Sequence, residues 1–166
     1  MKPADRLKIG LGYIVDEADY AASVATTEAA AQSASSGGLR NSRTAIAFSN
    51  AVEAALTQRL PAMFKIYNEE RERFWSDRSG LKGPVRESIL EFFRLARRHI
   101  GDRSSRVSSN VGIYDKLLAE AQDRALATAE AHFLHPGVRY WHERNPLKVA
   151  ALSALFGAFA TKVFGG

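Results

Sequence analysis

Pro84-Val85-Arg86-Glu87-Ser88-Ile89-Leu90-Glu91-Phe92-Phe93-Arg94-Leu95-Ala96-Arg97-Arg98-His99-Ile100 reads as one amphipathic helix. Val85, Ile89, Phe92, Phe93, Ala96 and Ile100 recur at separations of three and four, so they share one face of a 3.6-residue turn. Arg86, Glu87, Glu91, Arg94, Arg97 and Arg98 fall on the other face. A half-buried strand would instead alternate at period two, and no such run longer than four residues occurs anywhere in the chain. Gly83-Pro84 opens this helix and Gly101 is expected to end it.

The same reading extends outward in both directions. A first helix is predicted from about Pro3 to Ser33, with Leu7, Leu11, Ile14, Ala18, Ala21 and Ala25 as its apolar stripe and Ser35-Ser36-Gly37-Gly38 as its stop. A second runs from near Asn41 or Ser42 to about Asp77, its apolar face traced by Ala45, Phe48, Val52, Leu56, Leu60, Met63, Tyr67 and Phe74. Pro61 lacks the N–H that would bond the carbonyl of Thr57, so a kink or restart is expected there. Asp102 to Asn110 is polar and aperiodic, a loop. A fourth helix, capped by Ser109 or Asn110, continues to about His135 and stops at Pro136-Gly137. After a connector, Val138 to Arg144, Asn145-Pro146 leads into an apolar helix from Leu147 to Phe164. The expected fold is therefore all-α: about five helices in a long hairpin or bundle, with a kinked second helix and an apolar C-terminal helix. Residues 1–144 form the bundle domain and residues 145–166 the tail. Roughly four-fifths of the chain is expected to be helical, against about one third in an average globular protein.

At 166 residues the chain is long enough for one domain with a real core, and its 46% hydrophobic and 25% charged residues are ordinary for a globular protein. The absence of cysteine excludes a disulfide framework, thiol catalysis and thiolate-ligated zinc or iron–sulfur centres. A net charge of +5 favours anionic partners. The apolar run Ile9–Val15 passes straight into Asp16, Glu17 and Asp19, too short for a secretion signal. A cytoplasmic or membrane-associated setting is expected, with a virion as a third.

Two segments stand out as docking surfaces. Arg94, Arg97, Arg98, Arg103 and Arg106 occur with one acid, Asp102, among them; forked guanidinium groups in such a cluster hold phosphates. No aromatic residue suited to stacking on bases is interleaved, so contact would be to the nucleic acid backbone and indifferent to sequence. The bland reading is a solvated helix face paired with Glu87 and Glu91. In the tail, thirteen uncharged residues lie between Lys148 and Lys162. Val149, Leu152, Phe156, Phe159 and Val163 make a bulky stripe, while Ala150, Ala154, Gly157, Ala158 and Thr161 make a small-residue face that lets helices approach closely. Such a helix packs against protein, against another subunit or in lipid. His142-Glu143-Arg144-Asn145-Pro146-Leu147-Lys148 followed by this Ala/Gly-rich run resembles the C-terminal anchor of small ribosome-associated inner-membrane proteins of enteric bacteria. The resemblance implies membrane association.

Arg94 and His99, with four residues between them, resemble the motif of HEPN-type helical ribonucleases, which implies that both act at a scissile phosphate. His132, His135 and His142 are the one set with near metal-ligand spacing, but nothing fixes the third in place, and paired Glu-x-x-His motifs of a di-iron bundle are missing. Gly10-Leu11-Gly12 follows no strand and lacks a third glycine, so it is no dinucleotide site; these glycines are expected to relieve crowding against a neighbouring helix. No catalytic residue, metal ligand or cofactor is assigned. The expected function is that of a non-enzymatic helical assembly protein — a coat, filament or scaffold subunit — that self-associates, contacts nucleic acid backbone through the arginines, and packs subunits or lipid with residues 147–164. The alternatives are a membrane-anchored adaptor or effector and a HEPN-like ribonuclease.

Overall fold

The computed structural model describes residues 1–35, 42–73, 79–104 and 111–134. Five α-helices and one turn of 3-10 helix account for almost all of them, and no strand occurs among the described residues. They are α1 (Pro3–Ser35), α2 (Ser42–Thr57), α3 (Leu60–Arg73), the 3-10 turn Ser79–Leu81, α4 (Lys82–Ser104) and α5 (Val111–Leu134). Met1–Phe133 make one compact unit. The expected tail helix, its junction at residues 144 and 145, and Val149, Leu152, Phe156, Gly157, Phe159 and Val163 lie outside the described residues.

α1 begins as its sequence dictates. The N–H groups of Asp5 and Arg6 donate to the Lys2 carbonyl at 3.1 and 3.2 Å, which places Pro3 first in the helix, where its missing N–H costs nothing. The core stripe is Leu7, Leu11, Ile14, Val15, Ala18, Ala22 and Thr26. It therefore departs from the expected Ala21 and Ala25 in the second half. Ala21 is still half-buried against the same core, so the enclosed face is displaced by one position and not lost. The buried Thr26 hydroxyl is satisfied locally, donating to the Ala22 carbonyl at 2.8 Å.

The single kinked helix expected across Pro61 is two helices. The Gln58 N–H still bonds the Ala54 carbonyl at 3.0 Å, but the Arg59 N–H turns back to Leu56 at 2.8 Å, and the Arg59 carbonyl then accepts from Ala62 and Met63. Pro61 thus sits in the first turn of α3, where a proline is tolerated, and the chain restarts instead of bending. A second correction concerns α4, which continues through Gly101 to Ser104. Glycine lowers helix stability by only about 1 kcal/mol, and Ile100, buried immediately before it, anchors the last turns.

Paired residues give the order of the rods. Arg6 meets Glu70 and Glu17 meets Arg59, so α1 runs antiparallel to α2 and α3. Lys8 meets Glu87 and Asp19 meets His99, so α1 and α4 run parallel. Arg86 meets Glu130 and Arg97 meets Gln122, which makes α4 and α5 antiparallel. Phe48 meets Tyr114 and Phe64 meets His132, so α5 runs along α2 and α3 in the same direction. Inside this four-rod arrangement Leu7, Leu11, Leu56, Met63, Val85, Ile89, Phe92, Phe93 and Leu118 are fully enclosed. Phe92 and Phe93 contact edge to face with centroids 5.3 Å apart. All six inward residues expected on α4 are buried, as are Ala45, Phe48, Val52, Leu56, Leu60, Met63 and Tyr67 on α2 and α3.

Candidate functional site

The arginine cluster sits on α4. At 100° per residue Arg94, Arg97 and Arg98 lie within an arc of about 100°, with Arg94 and Arg98 exposed and Arg97 half-buried. Their surroundings differ. Arg94 forks onto both carboxylate oxygens of Glu91, one turn earlier. That hydrogen bonding holds the Glu91 carboxyl below its ordinary range and raises the Arg94 guanidinium above its own, burial opposing weakly in each case. Arg97 donates to the Gln122 side-chain oxygen at 3.0 Å, a neutral partner, and forms no ion pair among the described residues. Arg98 stands exposed near Glu91. The side chains of Arg103 and Arg106 lie outside the described residues. Of the described cluster, Arg97 and Arg98 keep charge to offer an anion and Arg94 is largely spent on its neighbour.

His99 points elsewhere. It is separated from Arg94 by about 140° around the helix, and its Nε2 lies 3.0 Å from Asp19 Oδ2 on α1. The other oxygen of Asp19 is buried without a hydrogen-bond partner among the described residues. The two members of the nuclease-like motif thus occupy different flanks of α4, each with its own carboxylate.

His132 is the one member of the histidine set within the described residues; His135 and His142 lie outside them. Its ring stacks on Phe64 with centroids 4.1 Å apart and planes 6° from parallel, and meets Tyr67 edge-on. Asn68 Nδ2 lies 3.3 Å from Nε2, which accepts when the ring is neutral. Burial lowers the His132 pKa, and the Arg71 charge lowers it further. No group of three or more metal-ligating side chains is found among the described residues.

The surface that periodicity did not single out lies on α1. Ile9, Tyr13, Tyr20 and Val24 are exposed, Tyr13 by 70% and Tyr20 by 74%. Their spacings of four, seven and four place them within about 60° of one another, directly opposite the Leu7–Leu11–Ala18–Ala22 core stripe. The signal was present in the sequence as a second apolar set in one helix, masked by the acids between its members. Beside this stripe a groove of about 220 Å³ runs between α1 and α4, lined by Gly12, Asp16, Glu87, Glu91 and Leu95 and crossed by the Lys8–Glu87 pair at 3.0 Å. Gly12 leaves that groove open, since a Cβ there would meet nothing within 4 Å; a Cβ on Gly10 would lie 3.3 Å from Ile66 of α3. Only Gly10 therefore relieves crowding in the way expected.

No helix among the described residues is long and apolar enough to cross a membrane. The chain matches no family model, no curated protein and no solved structure, so its own geometry carries the functional reading.

Proposed function

We propose that this is a non-enzymatic assembly protein, a helical coat, filament or scaffold subunit. The observation that carries the reading is the outward face of α1. The bundle encloses its core, yet Ile9, Tyr13, Tyr20 and Val24 stay in solvent along a helix about 50 Å long. Aligned exposed aromatic and aliphatic side chains characterise surfaces that meet other macromolecules. On the same reading Arg97 and Arg98 supply charge toward a phosphate backbone, and residues 147–164, outside the described residues, supply an apolar sequence for subunit or lipid packing. Negative-stain imaging and sedimentation of the purified chain test this reading: particles, filaments or discrete oligomers are expected, and a monomer at every concentration overturns it. Copurified polynucleotide, read from the absorbance ratio at 260 and 280 nm, tests the nucleic acid contact.

A second reading, a ribonuclease using Arg94 and His99, draws support from Asp19. A carboxylate hydrogen-bonded to an imidazole holds the ring in a fixed orientation, as a histidine acting at a phosphate requires. RNA cleavage that vanishes in His99→Ala would favour it, and no cleavage at high protein concentration removes it.

A further inference from the structure

We propose that a small pocket between α2 and α5 binds an apolar molecule smaller than benzene. The site is independent of the assembly reading, and either stands without the other.

The pocket originates in the sequence of α5. The inward residues of that helix are Tyr114, Leu118, Ala121, Ala125, Ala129 and Phe133, bulky at both ends and alanine through the middle. Ala125 faces the junction where α2 stops and α3 restarts, with Leu56 before the break and Leu60 after it. A single methyl group does not fill the gap there. A cavity of about 70 Å³ remains, with Phe93 of α4 as a further wall. Leu56, Leu60, Phe93 and Ala125 are all buried.

The rim is polar, but its groups are engaged with one another. Arg124 forks onto both carboxylate oxygens of Glu53 at 2.8 Å, bridging α5 to α2. The Thr128 hydroxyl donates to the Arg124 carbonyl at 2.9 Å. A water inside would need about two to four hydrogen-bond partners, and the walls present carbon. Apolar cavities of this kind stay dry and take up ligands without polar groups; one of about 150 Å³ accepts benzene. About half that volume suits a single large atom or a short hydrocarbon. Such a ligand supplies the dispersion contacts that the lining side chains otherwise lack.

Xenon is the probe. In the methyl-labelled full-length chain, xenon dissolved under pressure should shift the Leu56, Leu60 and Ala125 methyl resonances, and the shifts should saturate. Ala125→Val, which places two more carbons in the pocket, should abolish that response while the circular dichroism stays helical. Ala119→Val, on the exposed side of the same helix, should leave it intact. Shifts that fail to saturate, that arise elsewhere in the chain, or that persist in Ala125→Val overturn the site. The wild-type response locates the ligand by itself, so the outcome is decided even if Ala125→Val fails to fold. Saturable shifts of the same methyls by benzene overturn the size limit.

Discussion

Arg6 closes its guanidinium fork on the carboxylate of Glu70, Nε lying 3.3 and 3.2 Å from the two oxygens and a terminal nitrogen 2.9 Å from Oε2. The contact spans 64 residues of sequence and ties the start of α1 to the end of α3. The Glu70 side chain is only 7% exposed, whereas that of Arg73, its second partner at 3.0 Å, is 61% exposed. Removing Arg6 leaves a buried carboxylate with one solvated partner. Arg6→Ala should therefore lower stability by about 2–3 kcal/mol, and Arg73→Ala by less than about 1 kcal/mol, both measured by urea denaturation. Equal effects would show that the buried fork has no special weight.

Stability should fall in two separate windows as the solution is acidified. His132 has a lowered pKa in the folded chain, so the unfolded chain takes up the proton first. Its contribution is complete above the ordinary imidazole value of about 6.5 and is lost as pH falls below it toward the depressed folded value. Glu53, Glu91 and Glu130 are also lowered, first through hydrogen bonds from Arg124, Arg94 and Arg86. Their contribution is complete above about pH 4.3 and fades below it, and it is small because these pairs are solvated. Denaturation midpoints followed against pH should show both slopes, and His132→Gln should flatten the upper one alone.

The two glycines of α1 should respond in opposite ways to alanine. Gly12→Ala places a methyl group in open space and gains helix propensity, raising stability by about 0.5–1 kcal/mol. At Gly10 the new Cβ meets Ile66, which must shift by a few tenths of an ångström, so the gain should shrink or reverse. Thermal melts of the two single variants decide this.

Binding to a single-stranded polynucleotide should depend on Arg98 more than on Arg94. Arg98→Ala removes an exposed charge and should reduce the slope of log affinity against log salt by about 0.7. Arg94→Ala should change it less, because Glu91 already neutralises that guanidinium. A titration series over salt concentration checks both, and equal slopes in the two variants would contradict the assignment.

The helical class, the inward face of α4 and the inward face across α2 and α3 were legible in the sequence because each depends on a spacing of three or four along one stretch of chain. Burial follows that local period wherever a neighbour exists to cover it. In the second half of α1 the repeat pointed to Ala21 and Ala25, which are half-buried, while the enclosed positions are Ala22 and Thr26; among so many small residues the period alone does not choose between neighbours. At Pro61 the sequence signalled a disruption, and the hydrogen bonds around Arg59 settled that it was a restart.

What tertiary structure alone decided is the fate of the charges and of the outward faces. Glu69 to Arg73 are all charged, yet Glu70 alone among them is enclosed, where Arg6 arrives from another helix. Arg94 and His99 form a motif in sequence and part company in space, one drawn to Glu91 and the other across to Asp19, 80 residues away. Periodicity records which face of a helix is apolar. It holds no information on which rods become neighbours, and the pairing of charges, the exposure of Tyr13 and Tyr20 and the groove at Gly12 all follow from that arrangement.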